Sequence, residues 1–516
     1  EGLDSLVSGR NRHALEADAL PNFITERRWF GDKGARRISA DLAVAFPLTH
    51  ADNRFIIAIA DVTTDSAKSR YLLPLTIRWQ RYTDIEKNET KVIAALRRTA
   101  REGSLVDAAA EPEFINAIVA KIYGSESVGD AERKLEFRKT SAFETLIDVK
   151  SVKAAGVEQS NTTVIAENKY VVKILRKVTP GIHPEIEIGR FFVEQAPFAN
   201  APRLLGSVEL VEDGQHSALA VVHEFIDNQG DAWAFISQSL DRLIAEQQLL
   251  PDETISETPE SAAMLGRLRQ IGERTADFHR TIASRPDIPD FAPESIDKDD
   301  MARWTGALQA RAENVFALLD RSEATLPDTA KPLASTLRDN RQQILAHIAK
   351  SRDVTVDAMK IRHHGDFHLG QVLIANNDSF LLDFEGEPRR SLDERRHKAP
   401  AARDVAGFCR SIDYATSAAL NRAAASQGEE KAKLAARLRL WTQKLIEAYW
   451  QSYREALADD RLWPHDDEQS RQLLDLFLLE KAFYEIEYEL TNRPDWVGIP
   501  LEATLRILRQ RGVVPS

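Results

Sequence analysis

The sequence predicts an α+β protein in which two successive β-rich units precede a mainly helical region. A chain of 516 residues is too long for one simple core, and its length favours two to four structural units. Before Asp231 the apolar residues alternate or run together, as in strands. After Asp231 they recur every three or four residues, as in amphipathic helices, with one hairpin pattern embedded among them.

The overall composition limits the function classes. The chain is 43% hydrophobic and 29% charged, as ordinary globular proteins are. With 80 acidic against 68 basic residues the net charge is −12, so neither nucleic acid nor an anionic membrane is expected as the main partner. No apolar run approaches the roughly 18 residues that a membrane span needs.

Cysteine content and the first residues bear on the compartment. Cys409 is the only cysteine, which excludes an internal disulfide and a Cys-based zinc site and favours the reducing cytoplasm. The opening EGLDSLVSGR has no basic segment followed by a hydrophobic stretch, so no secretory signal is predicted. The missing initiating Met is expected for a trimmed chain or for one cut from a longer polypeptide.

The β-rich units are predicted from runs of β-forming residues separated by polar turns. We expect a linker-like segment over 1–19, a first β-rich unit over 20–105, a second over 106–227 and the helical region over 228–516. The first unit begins with a helix in LPNFITERRWFGDKG that ends at Trp29 and Phe30, followed by the strands SADLAVAFPL, NRFIIAIADVT and RYLLPLTIRWQRY. Strands of the second unit are predicted in KLEFRKT, TLIDVKSV, NTTVIAENKYVVKILRKV and ALAVVHEFID.

The helical region contains a hairpin pattern, HHGDFHLGQVLIANNDSFLLDFEGE, that concentrates polar residues. Two short apolar strands flank the sequence Asn-Asn-Asp, which is a strong turn signal. Asp366 precedes the first strand, Gln371 opens it and Asp383 closes the second. A hairpin brings its two ends together, so these three oxygen-bearing side chains could meet at one Mg²⁺.

Each of these residues also has a simpler explanation. Individually they are typical of turns and caps, and His364 and His368 of core or surface histidines. A zinc site of His363, His364 and His368 lacks the further ligands at helical spacing that such sites show. Jointly, Asp366, Gln371 and Asp383 have the order and spacing of the catalytic base and the two metal ligands of protein-kinase-like enzymes, with Gln where protein kinases have Asn.

Residues that could hold a nucleotide lie upstream. Lys173 near the end of the strand NKYVVKIL is placed like the lysine that holds the α- and β-phosphates of ATP. In HPEIEIGRFF we expect Glu187 to orient it, with Glu185 as the second choice. Three donors in GVEQSNTTVIAE are expected to cover the phosphates: Ser160, Asn161 and Thr162. The strand VVHEFID, with Glu224, stands where adenine would be contacted, and no GxxxxGK[ST] is present, which excludes a Walker-type site.

With these parts assembled, the chain resembles the maltokinases, a branch of the aminoglycoside-phosphotransferase-like kinases. The resemblance runs from about Leu20 to near Leu508. It is carried by the motifs RRWFGDKG, EQSNTT, HPEIE, GDAW, HGDFHLGQVL, LDFEGEP, RDVAGFCRSIDYA and YEIEYELTNRPDWVGIPL. The Gln that departs from protein kinases is the residue that this family uses.

The resemblance implies a bilobal kinase with an extra N-terminal cap that transfers the γ-phosphate of ATP to the anomeric hydroxyl of maltose. Asp366 would be the catalytic base, and Gln371 and Asp383 would hold Mg²⁺. Lys173 with Glu187 would hold the phosphates of ATP. In related proteins this domain is sometimes fused behind a trehalose synthase, so such a fused or associated enzyme is an expected partner.

Candidates for contact with the sugar have planar, charged or aromatic side chains. Arg403 and Asp404 begin a predicted helix, while Tyr484 and Tyr488 are four residues apart and share a helical face. The full predicted set is His364, Glu385, Arg403, Asp404, Tyr484, Glu485, Tyr488 and Arg493, with Trp496 beside them. For each aromatic residue, core packing is an equally good explanation.

Two rival functions remain from the sequence. One is a kinase for another small sugar or amino sugar such as glucosamine, in which the same catalytic clusters would be present. The other is a catalytically silent kinase-like scaffold, which would not need Lys173, Asp366, Gln371 and Asp383 together.

Overall fold

The structure is a computed structural model, and it describes residues 3–79, 91–99, 101–156, 160–247, 258–423, 429–458 and 461–515. The chain forms two compact units. The first comprises Glu1–Pro197, Pro202–Asp227 and Ser391–Glu394, and the second comprises Phe198–Ala201, Asn228–Arg390 and Arg395–Ser516. No helix among the described residues is long and apolar enough to cross a membrane.

The first unit is built on two antiparallel sheets and a few helices. Its strands are β1 (Ile38–His50), β2 (Asn53–Thr64), β3 (Lys68–Arg78), β4 (Val92–Arg98), β5 (Arg101–Asp107), β6 (Ser127–Gly129), β7 (Arg133–Lys139), β8 (Val152–Ala154), β9 (Asn161–Ala166), β10 (Tyr170–Leu175), β11 (Lys177–Val178), β12 (Leu204–Glu212) and β13 (Gln215–Glu224). Its helices are α1 (Gly9–Ala14), α2 (Leu20–Glu26), α3 (Pro112–Gly124) and α4 (Pro184–Glu194). The strand order is β1-β2-β3-β5-β4 in one sheet, with β11 also paired to β3, and β6-β7-β12-β13-β10-β9-β8 in the other.

The two sheets of this unit share a hydrophobic core, which explains the continuous apolar run of β2. Phe55, Ile57 and Ile59 lie in the core that also contains α3 and residues of β7, β9 and β10. The alternate residues Ile56 and Ala58 lie in a second core with the N-terminal helices. Successive side chains of a strand point to opposite faces, so a strand buried on both faces needs apolar residues at every position.

Three details of the first unit differ from the sequence predictions. Residues 3–19, predicted to be a linker, are helical and bury Leu3, Leu6 and Leu15 in the second core. The first long helix ends at Glu26, and Trp29 and Phe30 follow it as buried loop residues. The stretch TLIDVKSV is irregular up to Val152, where β8 begins. In each case burial against a neighbouring element, which local pattern does not reveal, decides the conformation.

The second unit is mainly helical. Its helices are α5 (Ala232–Gln247), α6 (Pro259–Ile282), α7 (Lys298–Ser322), α8 (Lys331–Asp339), α9 (Arg341–Lys350), α10 (Leu392–Arg396, which begins in the first unit), α11 (Ala402–Arg422), α12 (Glu429–Leu457), α13 (Asp467–Asn492) and α14 (Gly498–Gln510). Its short strands are β14 (Glu294–Ser295), β15 (Met359–Ile361), β16 (Val372–Ala375), β17 (Asp378–Leu381) and β18 (Ala399–Pro400). The predicted hairpin is the antiparallel pair β16 and β17, set among helices.

Helices α6 and α12 approach each other closely at Gly272. A Cβ at this position would overlap the carbonyl oxygen of Tyr449 and lie 3.0 Å from the backbone nitrogen of Tyr453. Only a residue without a side chain allows this backbone-to-backbone contact. The exposed Gly266 on the same helix has no such neighbour within 4 Å.

We therefore expect Gly272→Ala to lower the free energy of unfolding by about 1–3 kcal/mol, because the added methyl group pushes the two helices apart. Gly266→Ala is the matched control, and it should be neutral or stabilise by up to about 1 kcal/mol, since Ala has the higher helix propensity. Urea denaturation followed by circular dichroism measures both. Equal effects of the two substitutions would contradict the close-packing explanation.

Candidate active site

In the first unit, Lys173 and Glu185 form a buried ion pair. Lys173 Nζ lies 3.0 Å from Glu185 Oε2, and the two side chains are 14% and 6% exposed. Alternation along β10 puts Tyr170, Val172 and Ile174 in the core and Lys173 on the opposite face. Glu185 stands in the first turn of α4, where a carboxylate is favoured by the helix dipole.

This pair gives Lys173 the partner that was the second choice, Glu185, while a contact between Lys173 and Glu187 stays a prediction. Residues two apart on a helix are separated by about 200° around its axis, so Glu185 and Glu187 point in nearly opposite directions. Glu185 shares the buried side of α4 with Ile188 and Gly189, and that side carries it to Lys173. On its other oxygen, Glu185 Oε1 lies 3.9 Å from Nδ1 of His223 on β13.

The predicted phosphate-covering segment is described in part. Val157, Glu158 and Gln159 lie outside the described residues, whereas Ser160 is exposed and Asn161 begins β9. Thr162 faces the interior, where its hydroxyl accepts a hydrogen bond from Arg176 Nε at 2.8 Å. The hydroxyl of Thr162 is thus engaged within the first unit, and its contact with phosphate stays a prediction.

Thr162 faces the interior because successive side chains of a strand point to opposite faces. The next residue, Thr163, lies on the same face as Lys173. Thr163 pairs with Lys173 across β9 and β10. Glu224, predicted near adenine, ends β13 and binds Arg203 through both carboxylate oxygens, at 2.7 and 3.0 Å. A contact between Glu224 and ATP stays a prediction.

In the second unit, one face of α11 holds the loop that contains Asp366. Asp404 accepts hydrogen bonds from the backbone nitrogens of His364 (2.7 Å) and Gly365 (2.9 Å). The Oγ of Ser411, two turns further, accepts one from the backbone nitrogen of Leu369 at 3.1 Å. Residues 404 and 411 are seven apart, so they lie on the same side of the helix.

The same face of α11 also packs against the loop through apolar contacts. The Phe408 ring stacks on Phe367, with centroids 4.9 Å apart. A Cβ on Gly407 would lie 2.9 Å from the carbonyl oxygen of Phe367, so glycine lets the loop lie directly on the helix. The motif RDVAGFCRS therefore holds the loop that contains Asp366.

Asp404 and His364, which were predicted to bind sugar, both support the loop, and their contact with sugar stays a prediction. The Asp404 carboxylate is 1% exposed and also accepts a hydrogen bond from His279 Nε2 at 3.2 Å. Burial raises the pKa of Asp404, but the hydrogen bond from His279 and the other polar groups outweigh burial, so this pKa lies below its usual range. His364 is 1% exposed, and its Nε2 is 2.7 Å from the carbonyl oxygen of Leu382 at the end of the hairpin.

The hairpin brings Gln371 to Asp383 as predicted. Asn376 and Asn377 both have positive φ, 52° and 60°, which forms a two-residue turn of the kind that Asn favours. The backbone nitrogen of Leu382 donates to the carbonyl of Gln371 at 2.9 Å. Gln371 Nε2 then lies 3.2 Å from Asp383 Oδ2. An amide and a carboxylate this close are oxygen donors of the kind that Mg²⁺ takes, so the pair fits this cation.

Two of the three histidines once considered as zinc ligands make hydrogen bonds within the protein. His368 Nδ1 accepts a hydrogen bond from the backbone nitrogen of Gly370 at 3.1 Å, and His364 is bound to Leu382. Burial lowers the pKa of His363 to about 3, so it is neutral at physiological pH. The contacts of His364 and His368 favour a structural role for these two rings.

Asp366 lines a small cavity of the second unit, about 30 Å³ in volume, that opens to solvent. Its Oδ1 is 3.1 Å from Lys481 Nζ on α13. Burial raises the pKa of Asp366, but Lys481 and the nearby histidines outweigh it, so this pKa lies below its usual range and the carboxylate is ionised. The charged and aromatic lining residues are Arg311, Asp366, Phe367, Glu387, Arg390, Arg403, Asp404, Phe477, Glu480, Lys481 and Tyr484.

Two of the predicted sugar residues, Arg403 and Tyr484, line this cavity. Unlike Asp404, they do not hold the loop that contains Asp366. The sequence analysis missed the residues beside them, chiefly Lys481 and Glu480. Helical spacing could have found Lys481, because Phe477, Lys481 and Tyr484 follow one another at intervals of four and three.

The other predicted sugar residues are placed elsewhere in the second unit. Glu485 forms a 2.6 Å ion pair with the buried Arg410, which accounts for its charge. Tyr488 lies under the guanidinium of Arg389, 5.2 Å from its ring centroid, and Arg493 pairs with Glu489 at 2.6 Å. The remaining residue, Glu385, follows the hairpin, and its carbonyl oxygen is 3.5 Å from Arg395 Nη1.

The buried Asp404 gives a stability prediction. Asp404→Asn keeps the shape but replaces one acceptor oxygen with a donor, which leaves a loop N–H without a partner and should cost about 1–3 kcal/mol. The native pKa of Asp404 is depressed, so its contribution is present above roughly pH 4, the pKa of an unfolded Asp, and is lost as pH falls. The gap in Tm between the native protein and the variant should therefore be largest near neutral pH and shrink in acid.

Differential scanning calorimetry across this pH range measures the gap. The control is Asp241→Asn, which removes an exposed carboxylate paired with Arg422 and should change stability by less than about 0.5 kcal/mol. A gap for Asp404→Asn that does not change with pH would contradict the role given to its charge.

Comparison with known proteins shows which enzymes this chain is similar to. Two curated relatives are both named glucosamine kinase. The relative from Streptacidiphilus jiangxiensis is 27% identical over 359 residues, which cover 69% of this chain and 73% of the relative. The relative from Mycolicibacterium smegmatis is 24% identical over 359 residues, covering 69% and 79%.

Solved structures show the same fold. A structure described as glucosamine kinase in complex with glucosamine, ADP and inorganic phosphate has a TM-score of 0.62 at 21% identity, covering 96% of this chain and 98% of its own. A second glucosamine kinase structure, crystal form B, has a TM-score of 0.65 at 20% identity, covering 96% and 99%. The predicted kinase-like fold with an N-terminal cap and a helical C-terminal region is thus confirmed.

Family profiles agree with the motifs. Residues 23–110 match the maltokinase N-terminal cap domain, which confirms the predicted resemblance to maltokinases. Residues 151–441, more than half of the chain, match the phosphotransferase enzyme family. The chain therefore belongs to the phosphotransferase enzyme family.

Proposed function

We propose that this protein transfers the γ-phosphate of ATP to the anomeric hydroxyl of maltose, giving maltose 1-phosphate. The observation that carries the proposal is the cavity in which an ionised Asp366 stands beside polar and aromatic side chains suited to a sugar. The match of residues 23–110 to the maltokinase cap supports maltose as the acceptor.

The reaction assigns a role to each group. Asp366 accepts the proton of the anomeric hydroxyl, whose oxygen bonds to the γ-phosphorus while the bond to the β-phosphate oxygen breaks and ADP leaves. Lys173, oriented by Glu185, holds the phosphates of ATP. Gln371 and Asp383 would hold Mg²⁺, which neutralises phosphate charge when bound.

The lowered pKa of Asp366 is compatible with its role as the base. The hydroxyl proton leaves largely as the phosphorus–oxygen bond forms, and a loose phosphoryl transfer requires positioning more than basicity. An anomeric hydroxyl is also more acidic than other sugar hydroxyls. Asp366, fixed by Lys481 and by the loop on α11, can therefore serve although its pKa is lowered.

Glucosamine is the second candidate acceptor. The relatives at 27% and 24% identity are both named glucosamine kinase, and this observation favours an amino sugar. A turnover assay of the purified protein with ATP and Mg²⁺ against maltose, glucosamine and glucose decides between the two. We expect maltose to be the preferred acceptor, and a preference for glucosamine would overturn the proposal.

The compartment and the source of maltose follow from this reaction. We place it in the cytoplasm, where ATP is available, and expect maltose to be supplied by a fused or associated trehalose synthase. A silent scaffold is the remaining alternative. ATP with Mg²⁺ should raise the Tm of a working kinase, since a ligand that binds the native state stabilises it, and no rise would favour the scaffold.

The catalytic assignment predicts that Asp366→Asn and Asp383→Ala each lower kcat by two or more orders of magnitude, on the order expected for losing a general base or a metal ligand. Both variants should keep the far-ultraviolet circular dichroism spectrum of the native protein. Asp241→Asn serves again as the surface control. Near-normal turnover by either active-site variant would remove Asp366 or Asp383 from the mechanism.

The ion pair of the first unit predicts a difference between two neighbouring glutamates. Glu185→Gln should raise the KM for ATP about tenfold, because it removes the charge-assisted contact, worth roughly 1.5–3 kcal/mol, that orients Lys173. Glu187→Gln should raise it less, since Glu187 points away from the buried side of α4. Steady-state kinetics at saturating sugar compare them, and a larger effect of Glu187→Gln would reverse the assignment.

A further inference from the structure

The cavity of the second unit contains a positive charge beside the catalytic base. Lys481 Nζ is 3.1 Å from Asp366 Oδ1 and 4.9 Å from the ring centroid of Tyr484. Both Lys481 and Asp366 have side chains that are 25% exposed, so each still faces the cavity. A sugar whose hydroxyl approaches Asp366 must therefore also approach the Lys481 ammonium.

The carboxylates that line this cavity are already matched by donors. Glu480 forms ion pairs with Arg403, with Arg390 at 3.1 Å and with Arg311 at 3.8 Å. Glu387 pairs with Arg390 at 2.7 Å. An ammonium group entering here would have to share each of these carboxylates with the guanidinium groups already bound to it.

The remaining two carboxylates are matched as well. Asp404 is occupied by His279 and by two loop N–H groups, and Asp366 by Lys481. The four carboxylates of the lining thus have donors at short range. A neutral sugar hydroxyl can hydrogen-bond to these ion pairs without electrostatic repulsion. A substrate cation is repelled by the Lys481 ammonium, and each carboxylate near it is already paired with a donor.

We infer that Lys481 is a specificity-determining residue that makes this cavity select uncharged sugars and reject sugars with an ammonium group next to the reacting carbon. The inference rests on the proposed function in one respect, that the anomeric hydroxyl is the acceptor. The 2-substituent of a sugar is attached to the carbon next to the anomeric one. A 2-ammonium group would consequently lie beside Lys481 whenever the anomeric oxygen reaches Asp366.

The size of the effect follows from the repulsion of two like charges. At about 5 Å and an effective dielectric constant of about 20, the repulsion alone corresponds to more than about a hundredfold in binding. Attraction to Asp366, which Lys481 already shares, offsets part of it, so we expect binding that is weaker by at least roughly tenfold. Removing Lys481 acts twice, because the repulsion disappears and Asp366 becomes an unmatched carboxylate that can accept an ammonium group. The preference for an uncharged sugar should therefore fall in a variant without this charge.

The test uses maltose and 2-amino-2-deoxymaltose, which differ only in a hydroxyl or an ammonium group at the critical carbon. Isothermal titration calorimetry gives both dissociation constants for the native protein, for Lys481→Met and for Lys481→Arg. The native protein should bind maltose at least about tenfold more tightly. Lys481→Met should reduce this ratio by at least about tenfold, and Lys481→Arg, which keeps the charge, should preserve it.

The controls separate charge from folding. Lys331→Met removes a surface lysine that pairs with Asp328 and should leave the ratio unchanged. Thermal melts check each variant, and Lys481→Gln replaces Lys481→Met if the latter does not fold. Equal affinity of the native protein for both sugars, or an unchanged ratio in the variants without charge at position 481, overturns the inference.

A turnover assay on the same samples distinguishes this result from the proposed function. If the ratio behaves as expected but maltose is not phosphorylated, the proposed reaction fails while the role of Lys481 stands. If maltose is phosphorylated and the ratio does not depend on the charge at position 481, the proposed function stands and the inference fails. Absence of binding of either sugar to the native protein overturns both.

Discussion

The loop that contains Asp366 depends on one buried carboxylate, that of Asp404. It binds two successive backbone N–H groups of the loop and the ring of His279, and it does so from the first turn of α11. Around this anchor the same helix face supplies Gly407, Phe408 and Ser411, each in contact with the loop. A loop held at successive points has little freedom, which is what phosphoryl transfer requires of the group that positions its acceptor.

The charges behind the cavity form a second layer of support on α11 and α13. Arg410 is 2% exposed and binds both Asp413 and Glu485, while Arg506 of α14 also binds Asp413. Burial of charged groups is costly unless each is paired, so this network accounts for ionic residues that would otherwise destabilise the helical core. Glu485 is four residues after Lys481 on α13 and therefore lies on the same side of the helix. Against the effect of burial, the negative charge of Glu485 helps to raise the pKa of Lys481, whose ammonium contacts Asp366.

The cap is part of the core of the first unit rather than an appendage. Apolar residues of β2 pack against α3 in the core that also contains residues of the second sheet. The buried Arg176 donates hydrogen bonds to Asp107, Thr162 and the carbonyl oxygen of Leu72. A guanidinium with several fixed acceptors can be buried because its planar donors are satisfied. Removal of the cap would expose this charge and one face of the core.

The sequence by itself determined the succession of β-rich and helical regions, the hairpin with its Asn-Asn turn, and the contact between Gln371 and Asp383. These features depend on local periodicity and turn chemistry, which neighbouring residues encode. Only the tertiary structure decided that Glu185 binds Lys173, that Asp404 and His364 support the loop, and that Lys481 lies beside Asp366 from 115 residues away. Such contacts depend on which face of each element is buried and on what it is packed against, and no local pattern specifies that partner.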